Sequence, residues 1–337
     1  MTIQAAFFRQ SEACAALGSP FMSRLMALCA ERLQPGLPVA DRVLGWKGDP
    51  SPSADNVPLR FAGALHALKL EQLALVGVYP PAEVTDHELW LAILEAMGQF
   101  ETHILAWLEN APQTNEVRRA AVVAGALSVV AKRYNDPVEL LELGCSGGLN
   151  LRLDRFSIAG ASGTSWGAPE SRVQIAPEWR EDVEPVWARL PIVARRGVDL
   201  SPLDPTTPEG RLRLLAYLWP DQPERLARTK AAIDIAHEVP ADISSGDAGA
   251  WTEQVLSSPA PGRTRVLYHT VAWQYFPEDT KVRILTSMKA HVGPLVHFSM
   301  ETDGGRGARL TLTHYPSGEV QELGRCDFHG RWVAWNE

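Results

Sequence analysis

Val138-Glu139-Leu140-Leu141-Glu142-Leu143-Gly144-Cys145-Ser146-Gly147-Gly148-Leu149-Asn150 decides how this chain is read. The first six residues form a short, mainly apolar run that suits a buried strand, with an acidic residue near its end. The small residues from Gly144 to Gly148 then make a tight turn, since they tolerate unusual backbone angles and let main-chain N–H groups approach a ligand. Glu142 adds a carboxylate able to accept hydrogen bonds from an amino or hydroxyl group. In open α/β sheets, ligands occupy the crevice at the carboxyl ends of the strands. A turn that serves packing alone has the same composition, so the surrounding sequence must decide.

Downstream, short apolar runs at 192–194, 241–244, 266–268 and 295–300 alternate with helical patterns, of which 223–237 and 278–291 are the clearest. That alternation is the signature of a mostly parallel sheet with helices on its faces. Two further runs, 310–315 and 320–323, flank Pro316-Ser317-Gly318 and predict an antiparallel hairpin. Residues 157–190, rich in Gly, Ser, Pro and Trp, fit neither pattern and read as an insertion.

Upstream, Phe61, Leu65, Leu68 and Leu75 recur at helical spacing, as do Leu89, Ile93, Met97, Phe100, Ile104 and Trp107. Residues 45–58, with Gly48, Pro50, Ser51, Pro52, Ser53 and Asp55, read as a loop. A further helix is expected from about residue 115 to 134, capped by Thr114 or Asn115. The expected architecture is an α-helical domain over 1–112, followed over 113–337 by a Rossmann-like, doubly wound α/β domain ending in the hairpin.

Composition narrows the function classes. Of 337 residues, 45% are hydrophobic and 21% charged, with 32 Lys and Arg against 40 Asp and Glu. The net charge of −8 argues against a phosphate-tracking surface, so no nucleic-acid partner is expected. Arg118, Arg119, Arg152, Arg155, Arg195 and Arg196 still leave room for a small anion. Cys14, Cys29, Cys145 and Cys326 show neither zinc-ligand spacing nor a disulfide framework, and no His/Asp/Glu cluster has ligand spacing, so no metal is expected. No apolar run approaches the roughly 20 residues of a membrane span, and residues 1–18 lack the pattern of a secretory leader. These features predict a soluble cytosolic protein acting on a small molecule.

Glu142-x-Gly144-x-Ser146-x-Gly148 resembles the first motif of class I S-adenosylmethionine-dependent methyltransferases, with Ser146 in place of the middle glycine. Across its length the chain also resembles the bacterial domain-of-unknown-function family 2332. Separated segments carry that likeness, among them Pro58-Leu59-Arg60, Gln113-Thr114-Asn115-Glu116-Val117, Trp219-Pro220-Asp221-Gln222 and His269-Thr270-Val271.

The methyltransferase resemblance implies S-adenosylmethionine as cofactor. It places Glu142 beneath the cofactor's amino acid end, with Gly144, Ser146, Gly148 and Asn150 around it. Asp199 would hold the ribose hydroxyls, Asp247 the adenine amine, and Arg118 the cofactor's carboxylate. His269 would take the proton of a methyl acceptor. Each has a structural alternative: a turn aspartate at Asp199, a helix cap at Asp247, a solvated helix start at Arg118 and a hydrogen-bonded core imidazole at His269.

Two other functions are compatible with the residues. Gly144-Cys145-Ser146-Gly147-Gly148 satisfies the nucleophile elbow of serine hydrolases, with Ser146 as nucleophile and Asp303 and His329 in the required order. Bulky Leu149 to Asp154 and a helical region upstream fit that class poorly. A non-catalytic protein that keeps the fold to bind a nucleoside or a partner is the other.

Overall fold

The computed structural model describes residues 1–52 and 54–336; Ser53, in the expected 45–58 loop, and Glu337 lie outside the described residues. The chain divides into two units, residues 1–114 with 207–227, and residues 115–206 with 228–337. The helical unit therefore reaches just past residue 112 and also takes a later segment that the sequence assigns to the sheet domain.

In the first unit, α1 (Ile3–Ala16), α2 (Pro20–Arg32), α3 (Pro38–Leu44), α4 (Val57–Leu70), α5 (Asp86–Gln99) and α6 (Glu101–Leu108) precede residue 114. Helix α5 begins with a capping box in which Thr85 and Glu88 satisfy each other's backbone donors. The apolar series running from Leu89 to Trp107 is not one helix, because Phe100 leaves helical geometry (φ −116°, ψ 33°). Leu75, expected on the face of α4, lies beyond that helix with a left-handed φ of 65° and is still buried. Phe7, Leu25, Phe61, Leu65, Leu89 and Ile93 are buried in one core with Tyr217 and Trp219 from the returning segment. Gly63 is required there, since a Cβ would come within 2.5 Å of the Tyr217 ring.

In the second unit, α7 (Ala120–Arg133) leads into β1 (Val138–Leu143). The helix expected from residue 115 starts later, after a 3-10 turn at Val117–Arg119. Neither Thr114 nor Asn115 caps it: α7 has no side-chain cap, and the 3-10 turn before it is capped by Glu116, whose carboxylate accepts the Arg118 N–H at 3.1 Å. The predicted insertion contains β2 (Ser157–Ala159), β3 (Ser165–Gly167) and β4 (Gln174–Ile175), which form a separate small sheet, and β5 (Glu178–Trp179). Then come β6 (Ile192–Asp199), α8 (Pro208–Ala216, in the helical unit), α9 (Pro223–Glu238), β7 (Asp242–Ser245), α10 (Ala248–Ser257), β8 (Thr264–Thr270), α11 (Glu278–Ala290) and β9 (Leu295–Glu301). The chain ends with β10 (Ala308–Tyr315), β11 (Glu319–Cys326) and β12 (Trp332–Trp335).

Among the described residues, nine strands form one sheet in the order β5-β12-β11-β10-β9-β8-β1-β6-β7. From β9 to β7 every neighbouring pair is parallel, whereas β9 to β12 form an antiparallel meander that includes the expected hairpin. Leu141 and Leu143 of β1 bury against Val198, Leu267 and Leu295 of neighbouring strands and against Trp251, Val255, Ile284 and Met288 of α10 and α11. By the two-residue strand period, Leu140 and Glu142 point to the opposite face.

The chain steps from β1 outward to β6 and β7, then returns to β8 on the other side of β1. The order of strands thus reverses between β1 and β8, the position where open parallel sheets form a crevice. Among the described residues, no helix is long and apolar enough to cross a membrane.

Candidate functional site

Glu142 is paired in register with Tyr268 of β8, and both side chains are buried. One carboxylate oxygen, Oε2, has no hydrogen-bond partner among the described residues. Burial pushes the Glu142 carboxyl up to about 8; the nearby Tyr268 hydroxyl and the guanidinium groups of Arg152 and Arg119 oppose that rise, while Asp199 adds to it. The acid is therefore mostly protonated at pH 7, a neutral group able to become an anion when a cation arrives.

The turn beyond Glu142 has the backbone of a glycine loop. Gly144 (φ 67°), Ser146 (φ 52°) and Gly148 (φ 62°) are all left-handed, so Ser146 holds a conformation that favours glycine. Its N–H donates to Asp199 at 2.8 Å, and its carbonyl accepts the Leu203 N–H at 3.3 Å. The Ser146 Oγ is buried without a partner, as is the Asn150 Oδ1. Asn115 accepts the Leu149 N–H at 2.9 Å, and the Asn150 amide donates to the Glu116 carbonyl at 3.1 Å.

The turn is not bare main chain open to solvent. Glu142, Ser146 and Asn150 are each at most 6% exposed. A Cβ on Gly144 would meet the Ala272 side chain at 2.7 Å, and one on Gly148 would meet Ile243 at 2.5 Å. Buried Arg152 donates to the Gly148 carbonyl at 2.7 Å and to the Val239 carbonyl at 2.9 Å. Arg152 and Ile243 also line a cavity of about 360 Å³ with residues 202–206 and His237. These two side chains thus touch both the turn and the cavity.

The other expected site residues are placed differently from one another. Asp199, at the end of β6, gives one carboxylate oxygen to Ser146 and the other to the Ser201 N–H. Asp247 caps α10 by accepting the Ala250 N–H at 2.8 Å, and also binds Thr280 and Arg283. Arg118 lies in the 3-10 turn before α7. Its neighbour Arg119 reaches the end of β8, donating to the Thr270 carbonyl at 2.9 Å. Arg119 and Tyr268 carried a signal in sequence, one in a paired arginine and the other two positions into a predicted strand.

His269 is buried on the α10 and α11 face of the sheet, opposite to Glu142 by strand alternation. Its Nδ1 is 2.7 Å from Glu301 Oε1, and its Nε2 is 3.0 Å from Nε2 of His297. Trp273 stacks on the ring at 4.9 Å between centroids. Both imidazole nitrogens of His269 are therefore committed within the protein. Glu301 and His297 escape a local reading because they face His269 only through the β8–β9 pairing.

The hydrolase constellation is not assembled in this arrangement. Ser146 Oγ meets no imidazole, a 3-10 segment (Leu149–Arg155) follows it, and Asp303 is held in a two-bond pair with Arg325. Among the described residues, no group of three or more His, Cys, Asp or Glu side chains is arranged to hold a metal ion.

Fold and site together define an α/β protein with a mostly parallel central sheet, antiparallel strands beside it and a polar cluster where its strand order reverses. The model of the domain-of-unknown-function family 2332, described as an uncharacterized protein conserved in bacteria, matches residues 4–335, and the chain belongs to that family. No curated protein matches the chain.

Proposed function

We propose that the chain binds S-adenosylmethionine at the carboxyl end of β1 and acts as a Rossmann-like methyltransferase on a small molecule. The observation that carries this reading is the buried Glu142 carboxyl with an unpartnered oxygen, beside a left-handed glycine turn at the reversal of strand order. An isolated buried acid is costly, and a ligand ammonium group would relieve that cost by pairing with it. Bound there, the cofactor would supply a methyl group activated on a sulfonium.

The residues fit this group at one end. Glu142 suits the ammonium of the cofactor's amino acid moiety, and Ser146 Oγ and Asn150 Oδ1 offer further unpaired polar atoms. Asp199 and Asp247 are committed to main-chain donors, so the ribose and adenine would be received by other groups. The 360 Å³ cavity lined by Arg152 and Ile243 is the space we assign to the rest of the cofactor.

Calorimetric titration with S-adenosylmethionine tests the reading directly. Binding at pH 7 should release about one proton as Glu142 ionises, which titrations in buffers of different ionisation enthalpy measure. Glu142→Gln should weaken binding about 10- to 100-fold and abolish the proton release. Absence of saturable heat with the wild-type chain, or unchanged affinity in the variant, overturns it.

A further inference from the structure

A carboxylate and two imidazoles stand in a row across β8 and β9. Glu301 Oε1 accepts the N–H groups of Ala272 at 2.9 Å and Trp273 at 3.1 Å, in addition to facing His269 Nδ1. An oxygen that already accepts two N–H groups accepts a third from the imidazole, which places the His269 proton on Nδ1. His269 Nε2 then meets His297 Nε2 at 3.0 Å, and one proton must lie between the two nitrogens. With the pair unprotonated, His297 donates that proton and carries its lone pair on Nδ1.

His297 is half-buried and its Nδ1 makes no hydrogen bond with the described residues, whereas His269 is 2% exposed. Around it on the same face stand Thr313, directly across on β10, and the Ser299–Thr311 hydroxyl pair at 2.6 Å. Among the described residues, the charged side chain opposite this stripe on β10 is Arg309, across from Glu301, and it is turned to Glu322 at 2.6 Å. Trp273 closes one side, with its ring 6.3 Å from that of His297.

We propose that His297 is the terminal acid–base group of a Glu301–His269–His297 relay, and takes a proton at Nδ1 from a small hydroxyl- or amine-bearing substrate lying against the Ser299–Thr311 stripe. The substrate's O–H or N–H bond breaks and an Nδ1–H bond forms on His297. The Nε2–H bond of His297 breaks in turn, and the proton joins the Nε2 lone pair of His269. His297 ends neutral, and the positive charge rests on His269 against Glu301. This sequence suits a ring whose burial and neighbouring imidazole drive its own basicity well below the usual histidine range. His269 and Glu301 are positioning residues in this scheme, and it stands apart from the cofactor reading.

The tautomers test it on the full chain. In spectra of protein labelled with ¹⁵N-histidine, the unprotonated pair should show His297 as the Nε2–H tautomer and His269 as Nδ1–H. On acidification the pair should take up a single proton, with His297 switching to Nδ1–H while His269 becomes the imidazolium. Glu301→Gln should raise the acidity of that step and loosen the His269 tautomer. Diethyl pyrocarbonate, the probe for an accessible lone pair, should modify His297 and spare His269, several-fold more slowly in Glu301→Gln. Two independent titrations in the wild-type chain, a fixed Nδ1–H on His297, or modification of His269 in preference to His297 overturns the proposal.

Discussion

Asp199 holds the main-chain N–H of Ser146 at 2.8 Å, so the end of β6 clamps the turn that follows β1 across 53 residues of sequence. The clamp keeps a non-glycine residue in the left-handed region, a conformation costing roughly 1–2 kcal/mol for an L-residue. Asp199→Ala should therefore destabilise the second unit by about 1–3 kcal/mol, through two lost charge-assisted bonds. Ser146→Gly in that background should recover part of the loss. Urea unfolding of the three chains measures both.

Glu142 should make stability depend on pH. Its folded-state pKa of about 8 lies above the ordinary 4.5, so between those values the unfolded chain loses a proton that the folded chain keeps. The stabilising contribution is full below about pH 4.5, declines as pH rises toward 8 and then levels off. Glu142→Gln should remove this slope and gain on the wild type by a few kcal/mol at pH 8 and above. Parallel urea midpoints at pH 5 and pH 8.5 check the sign.

Glu139 and Arg265 form an ion pair at 2.9 Å with both side chains 4% exposed, and Arg265 also binds the Ser258 carbonyl. Glu139→Gln leaves the guanidinium without its buried counter-charge and should cost about 3–5 kcal/mol. Glu139→Leu with Arg265→Met should cost less than the single change, because no charge then remains buried. A double-mutant cycle in denaturant reads that difference.

Gly148→Ala should cost about 2–4 kcal/mol, since the left-handed backbone and the 2.5 Å approach of Ile243 both resist a Cβ. Ile243→Val should restore only the part due to crowding. Thermal unfolding of the single and double variants separates the two.

Much of the sheet was legible in the sequence because its strands are short apolar runs. Val138–Leu143 is matched at both ends, and the other expected strands fall within or beside the observed ones, although β6 runs on to Asp199. Those extensions are polar or mixed, so hydrophobicity alone stopped early. Helix α8 was missed: it is only nine residues long, and the α4 helix it packs with lies more than 130 positions away. The aspartates show where local pattern runs out. Asp221, just ahead of α9, turns its carboxylate instead to the start of α2, accepting Ser19 Oγ and the Phe21 N–H. The polar cluster on the β1 side was legible through Glu142 and the glycine turn, whereas Glu301 and His297 join His269 by strand pairing that no spacing rule encodes.

The helical unit is built from two pieces of chain, with residues 207–227 supplying Tyr217 and Trp219 to a core otherwise made before residue 114. During synthesis, the first six helices leave the ribosome with part of their interior still untranslated. Nearly a hundred further residues must be added before that gap can be filled, so the amino-terminal portion cannot complete its folding in the order in which it is made.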